Sequence, residues 1–223
     1  KARISSKEDK LKMADQAHFN LGDSHEESLA YPHNVLTRDG EVIYHGAIFD
    51  QEKANKIYAN LMNKIPWKHD EAFIYGKHII TARKVAWYGD EDYDYSYSGK
   101  TRTAMKWTPE LLKVKHAAEQ KTGMIYNSCL LNLYADGSQG MAWHSDDEKC
   151  LGNDTNIASM SFGAERRFDF RHKASREKIS VMLQNGSLLV MQGSTQTHWQ
   201  HQIPKTTKVT TPRVNLTFRT MQF

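Results

Sequence analysis

Arg213-Val-Asn-Leu-Thr-Phe-Arg219 alternates polar and apolar side chains over seven residues. On an extended strand successive side chains point to opposite faces. Arg213, Asn215, Thr217 and Arg219 therefore share one face, and Val214, Leu216 and Phe218 the other. Upstream, 127–134, 158–162, 168–171, 179–183 and 187–191 have strand composition, and with 214–218 they make six short β candidates. Turn signals separate them at Asp136-Gly137, Gly163, Asn185-Gly186 and Gly193. Many short strands at such spacing predict a sandwich, jelly roll or barrel rather than a parallel α/β sheet.

Before residue 124 the pattern differs. Residues 42–49 read as a strand. Asp50 then stands where a helix N-cap belongs, and Ala54, Ile57, Tyr58, Leu61 and Met62 recur at helical spacing through 51–64, with Pro66 as the stop. A second helix is predicted over 108–122: Thr108 caps, Pro109 takes the first turn, and Leu111, Leu112, Val114 and Ala118 line one side. Residues 1–28 are polar and charged and read as a flexible arm with a short helix around 7–18. No repeat or low-complexity linker interrupts the rest, so 29–223 reads as one domain. Lys1 in place of an initiator Met suggests part of a longer protein.

The bulk numbers exclude several classes. The chain has 223 residues, 39% of them hydrophobic, enough for a sizeable core. Its formal charge of +4 permits nucleic acid as a partner without demanding it. Two cysteines, Cys129 and Cys150, with no Cys-x-x-Cys, make a disulfide scaffold or thiolate zinc site a poor fit. No run approaches the roughly 18 apolar residues of a membrane span, and no signal peptide is recognisable.

The chemistry concentrates around His144-Ser-Asp146 and a much later histidine. Residues i and i+2 of a strand share a face, so His144 and Asp146 can aim at one point while Ser145 points away. Two neutral imidazoles and a carboxylate are the set that holds non-haem Fe(II) with open coordination positions. His198 and His201 both qualify as the third ligand. They stand three apart, so on a straight strand only one faces inward. His-x-Asp also arises by chance, and context has to confirm it. Arg213 and Arg219 can clamp a small dicarboxylate. They lie roughly 20 Å apart along an extended strand. Sharing one ligand therefore requires one to take the far carboxylate and the other to act near the metal. Alone, the strand would read as an amphipathic edge with a solvated basic face. Asn132 and Tyr134, two apart before the Asp136-Gly137 turn, would face the same cavity.

Taken together, Leu131-Asn-Leu-Tyr134, His144-Ser-Asp-Asp-Glu148, Ile157-Ala-Ser-Met-Ser-Phe-Gly163, Phe168-Asp-Phe-Arg-His-Lys173, His198-Trp-Gln-His-Gln-Ile-Pro204 and Pro212-Arg-Val-Asn-Leu-Thr-Phe-Arg219 resemble the AlkB family of Fe(II)/2-oxoglutarate dioxygenases, which repair alkylated nucleic acid. The resemblance runs from about Ile74 to Arg219. It implies a mainly β fold with flanking helices, a double-stranded β-helix or jelly roll, with 124–223 as its core and 74–100 as a nucleotide-recognition lid. By the resemblance, His144, Asp146 and His201 look like iron ligands and catalytic residues, His201 because it precedes Gln-Ile-Pro. Asn132, Tyr134, Arg213, Thr217 and Arg219 look like the 2-oxoglutarate pocket. Asp147 and Glu148 resemble acidic positions facing the damaged base. Tyr75, in Ile74-Tyr-Gly-Lys77, resembles an aromatic finger that fills the gap of a flipped base. Arg83 matches a basic position of the lid, and Tyr95 and Tyr97 match aromatic positions of the base pocket. On their own those tyrosines would read as a hairpin with solvent-facing rings.

The implied activity is oxidative demethylation of N-alkylated bases in DNA, such as 1-methyladenine and 3-methylcytosine, with Fe(II), 2-oxoglutarate and O2. Formaldehyde, succinate and CO2 would be released. Two segments depart from the duplex-binding subgroup: Pro204-Lys-Thr-Thr-Lys208 carries only two charges, and the loop over 173–178 is short. Fewer phosphate contacts leave single-stranded DNA, duplex DNA and RNA open as substrates. Protein or small-molecule oxidation and a non-enzymatic nucleic-acid-binding module are the competing readings. A monomer inside the cell is expected, in the nucleus of a eukaryote or the cytoplasm of a bacterium, with no membrane partner.

Overall fold

The alternating segment Arg213–Arg219 lies at the centre of a sheet, not at its edge. The computed structural model describes residues 30–74, 77–97, 100–152 and 155–222, and the side chains of all of these except 72–74, 77, 94–97 and 100–102. The arm over 1–28 lies outside the described residues. The chain runs β1 (His33–Asn34), β2 (Glu41–Ala47), α1 (Gln51–Lys64), β3 (Lys68–Ile74), β4 (Lys77–Gly89), β5 (Asp94–Tyr97), β6 (Lys100–Thr103), β7 (Met105–Lys106) and α2 (Pro109–Thr122). It continues through β8 (Ser128–Tyr134), β9 (Met141–His144), β10 (Ile157–Gly163), β11 (Arg166–His172), β12 (Lys178–Leu183), β13 (Ser187–Gln192), α3 (Thr195–His198), β14 (Trp199–Ile203) and β15 (Arg213–Arg219). The molecule is mostly β, with few helices. No helix among the described residues is long and apolar enough to cross a membrane.

The large sheet has the order β1-β2-β13-β10-β15-β8-β4-β3, with β7 added beside β4. The smaller sheet has the order β12-β11-β14-β9, and β5 and β6 form a separate hairpin. Pairing is antiparallel apart from β4 with β7. In β15 the two faces do different work. Val214, Leu216 and Phe218 join Leu131, Leu133, Met160 and Phe162 in a core covered by Ala54 and Leu61 of α1 and Leu111, Val114 and Ala118 of α2. Arg213, Asn215 and Thr217 point the other way and are also buried. A solvated basic edge strand is therefore overturned, because β10 and β8 flank β15 and both its faces are covered. A second core lies between the sheets, built from Val42, Tyr44, Ile157, Leu189 and Met191 on one side and Phe168, Phe170, Trp199 and Ile203 on the other.

Both long helices form for local reasons. Asp50 Oδ1 accepts the Lys53 N–H at 2.8 Å, and Thr108 Oγ1 accepts the Leu111 N–H at 3.2 Å. Ile65 ends α1 in an extended conformation, as a residue before proline must. Gly123 closes α2 at φ 70°, its N–H donating to the Glu119 carbonyl at 2.8 Å.

Candidate metal and organic-acid site

The three residues expected to hold a metal come together in a cavity lined by both sheets. β9 ends at His144, so Asp146 lies just past the strand rather than two places along it. Shared strand face is thus not what aims the pair. The Asp146 N–H donates to Gln196 Oε1 at 2.9 Å, and the Ser145 hydroxyl donates to the Trp199 carbonyl at 2.9 Å. These two bonds turn the chain and bring the carboxylate back towards His144. His201 sits on β14 directly opposite His144 in register, and their ring centroids are 4.2 Å apart. His144, Asp146 and His201 each offer one ligand atom, and those atoms lie within 4.8 Å of one another. His198 is elsewhere: it ends α3 and stacks parallel to His172 at 6.2 Å. The short helix α3 ends on His198 and keeps it out of the cluster, and β14 begins just after it and carries His201 into the cluster.

The electrostatics suit a cation. His144 Nδ1 lies 2.8 Å from the Ala142 carbonyl, which can only accept, so Nε2 is the nitrogen left with a lone pair. Burial and the neighbouring His144 push His201 down to about 3, against the pull of Asp146, so its imidazole is neutral at pH 7. Burial works to raise Asp146. Arg219, His201 and His144 outweigh it and hold the carboxyl well below the usual range. Arg219 Nη2 donates to Asp146 Oδ2 at 2.9 Å, placing this arginine at the metal end.

Arg213 lies at the other end of the same strand. It is 1% exposed, and its guanidinium stands 5.6 Å from the Tyr134 ring centroid. Nη2 donates to Ser161 Oγ at 3.0 Å, while Nε and Nη1 have no partner among the described residues. Burial lowers it to about 10, which still leaves it charged. A buried cation with two unmatched donors is costly unless an anion meets it. Asn132 Oδ1 is likewise unmatched. Asn215 Nδ2 donates to Ser159 Oγ at 2.8 Å, and the Thr217 hydroxyl donates to Asn215 Oδ1 at 3.1 Å. The donor set fits both Fe(II) and a dicarboxylate.

One cavity of about 400 Å³ takes in Asn132, Tyr134, His144, Asp146, Asp147, Glu148, His201, Arg213, Thr217, Arg219 and Arg83. All the site residues expected from sequence whose side chains are described thus meet in one place. Tyr75 lies outside the described residues. Tyr95 and Tyr97 fall on β5, whose side chains are not described. Sequence reasoning missed Ser161, Gln196 and Asp70. No spacing rule marks the serine or the glutamine. Asp70 sits in Lys68–Ile74, which composition does not mark as a strand.

A family model described as the 2OG-Fe(II) oxygenase superfamily matches residues 40–219, and that is the class that fold and site define. Human alpha-ketoglutarate-dependent dioxygenase alkB homolog 3 is 38% identical over 192 residues, covering 80% of this chain and 65% of the human protein. Mouse DNA oxidative demethylase ALKBH2 is 38% identical over 195 residues, covering 82% of each. The chain belongs to the AlkB family of 2-oxoglutarate- and Fe(II)-dependent dioxygenases. It spans a little under two thirds of the bovine and human alkB homolog 3 proteins, at 63% and 65% of their lengths. The solved structure of OsALKBH1 shares the fold at 14% identity and a TM-score of 0.54, covering 82% of this chain and 99% of that one.

Proposed function

We propose that this protein demethylates N-alkylated bases in DNA by direct reversal, using Fe(II), 2-oxoglutarate and O2 and releasing formaldehyde, succinate and CO2. The observation that carries the reading is the meeting of three metal-ligand side chains with the unmatched guanidinium of Arg213 in one cavity. Relatives named DNA oxidative demethylase support the substrate class. The facing sheets and their antiparallel order support a double-stranded β-helix.

His144, Asp146 and His201 would hold the iron. Arg213 would receive the distal carboxylate of 2-oxoglutarate, with Asn132, Tyr134 and Thr217 completing that end. When bound, Fe(II) supplies activation of O2 coupled to oxidative decarboxylation of the cosubstrate. The chain's own work is orientation. Arg219 fixes one oxygen of Asp146 and leaves the other turned to the histidines. Gln196 holds the Asp146 backbone from behind. Asp147 and Glu148, beside the metal set, would receive the extruded base, and their carboxylates favour the positive charge of 1-methyladenine or 3-methylcytosine. Tyr75, Tyr95, Tyr97 and Arg83 complete the substrate-binding set in this reading. The protein would act as an intracellular monomer on nucleic acid.

The test is mass spectrometry of oligonucleotides carrying 1-methyladenine or 3-methylcytosine, as single-stranded DNA, duplex DNA and RNA, with and without 2-oxoglutarate. Methyl loss from DNA that requires 2-oxoglutarate is expected, and is abolished by His144→Ala. Turnover confined to RNA would replace DNA as the substrate. Absence of turnover on every strand would overturn the reading.

A further inference from the structure

One part of the cavity wall is built by a break in the large sheet. β3 and β4 pair with His69 opposite Lys84 and then with Glu71 opposite Ile80. Asp70 alone therefore stands against Thr81, Ala82 and Arg83. Such a bulge breaks the alternation of a ladder and re-aims side chains, which is why bulges gather beside functional sites. The extra residues are tied down. His69 Nδ1 donates to the Thr81 carbonyl at 3.0 Å, the Thr81 hydroxyl donates to the Arg83 carbonyl at 3.1 Å, and the Gln139 amide reaches the Ala82 carbonyl at 3.4 Å. As a result Asp70, Thr81 and Arg83 all face the cavity. The Asp70 carboxylate pairs with the Arg83 guanidinium, and both side chains are about 15% exposed. Arg83 Nη1 lies 3.3 Å from Met141 Sδ, beside the strand that carries His144. Its Nε has no partner among the described residues, so one donor remains to meet a ligand.

We propose that Asp70 is a positioning residue that sets lesion preference. It holds Arg83 against the bulge and cancels its charge, so the cavity admits a methylated base that is itself a cation. This rests on the demethylase reading above. Without Asp70, Arg83 loses its ion-pair partner in a partly solvated wall, and it opposes a second cation there more than a neutral base of the same size. The pair therefore acts as a charge filter. With the carboxylate present, cationic lesions such as 3-methylcytosine are favoured. With it neutralised, the advantage passes towards neutral lesions such as 3-methylthymine.

The test compares single-stranded oligonucleotides bearing one 3-methylcytosine or one 3-methylthymine, read by kcat/KM and independently by Kd. The proteins are wild type, Asp70→Asn, Asp70→Glu and the double variant Asp70→Asn/Arg83→Gln, each checked for folding by circular dichroism. Asp70→Asn is expected to lower the 3-methylcytosine to 3-methylthymine ratio about tenfold, chiefly through KM, the order expected for one uncompensated unit charge in a partly solvated pocket. Asp70→Glu should keep the wild-type ratio. The double variant should recover it, even though removing Arg83 lowers both rates. A ratio unmoved in Asp70→Asn, or not recovered in the double variant, overturns the proposal while wild-type turnover of 3-methylcytosine stands. Should Asp70→Asn fail to fold, the Glu and double variants decide, since a loss of preference in both would sink the idea. A wild-type chain that turns over neither oligonucleotide overturns the demethylase reading and this inference with it.

Discussion

Arg213 is a full positive charge held where water hardly reaches, with the Tyr134 ring beside it, one hydrogen bond to a hydroxyl, and two donor nitrogens unmatched among the described residues. A fold keeps such a group only if something else gains by it. In the proposed site the gain is recognition of a carboxylate by a planar fork of donors. Arg213→Met should therefore separate stability from function. The KM for 2-oxoglutarate, followed by succinate release, is expected to rise at least a hundredfold. The melting temperature of the ligand-free protein should hold or rise, because a buried charge has been replaced by an apolar chain of similar length. A fall in melting temperature with an unchanged KM would make Arg213 a structural residue. Gln196 makes the complementary case. Its Oε1 accepts the Asp146 N–H at 2.9 Å, so it supports a ligand it does not replace. Groups behind a metal ligand commonly control affinity by about 10–100-fold. Gln196→Leu is expected to weaken Co(II) binding by that order, read from the visible absorption of the bound ion. Unchanged affinity would show that Arg219 and Ser145 suffice to place Asp146.

At the scale of elements, β10 and β15 form the spine on which the site is hung. Ser161 stands opposite Asn215 and Gly163 opposite Arg213. Gly163 has φ 84°, and a Cβ there would lie 2.6 Å from both the Pro212 carbonyl oxygen and Tyr58. The left-handed backbone alone costs an L-residue about 1–2 kcal/mol. Gly163→Ala is accordingly expected to lose at least that much in urea unfolding, since the backbone oxygen has little room to retreat. An unchanged midpoint would mean that the turn after β10 is free to rearrange. The same elements show what sequence can reveal. α1 and α2 were legible because caps, periodicity and stops are local signals, and the structure keeps Asp50 and Thr108 as the caps. β8, β10–β13 and β15 were legible from β-rich runs between turns. β9 and β14 were not, for they are four and five residues long and carry Trp143, His144, Gln200 and His201 in place of an aliphatic pattern. The β3–β4 ribbon was hidden too. Its lysines and histidines dilute the β signal, and the bulge at Asp70 breaks the alternation that would have exposed it.

Across the whole molecule, the proposed site draws its two halves from different sheets. His144 and His201 come from β9 and β14 of the small sheet, whereas Asn132, Tyr134, Arg213 and Thr217 come from β8 and β15 of the large one. His-x-Asp spacing made two of the three proposed metal ligands visible in the sequence. His201 joins them through the pairing of β14 with β9, and the meeting with Asn132, Tyr134, Arg213 and Thr217 depends on how two sheets face each other; no local pattern encodes either. The division has a thermodynamic consequence. A metal held by one sheet and an organic acid held by the other, chelating each other between them, would tie the sheets together. Each ligand would then bind more tightly in the presence of the other, by the same factor in both directions. Ligands that bind only the folded chain stabilise it by about 2.7 kcal/mol at a hundred times their dissociation constant. For a domain of this size that is a rise in melting temperature of about 5–11 °C. Mn(II) and 2-oxoglutarate together should produce a rise of that order in the full chain, larger than the sum of their separate effects. 2-Oxoglutarate alone should produce little. Asp146→Ala should remove the excess, while Arg213→Met should remove the effect of the acid and leave that of the metal. Additive shifts, or an excess that survives Asp146→Ala, would mean that metal and acid do not share this cavity.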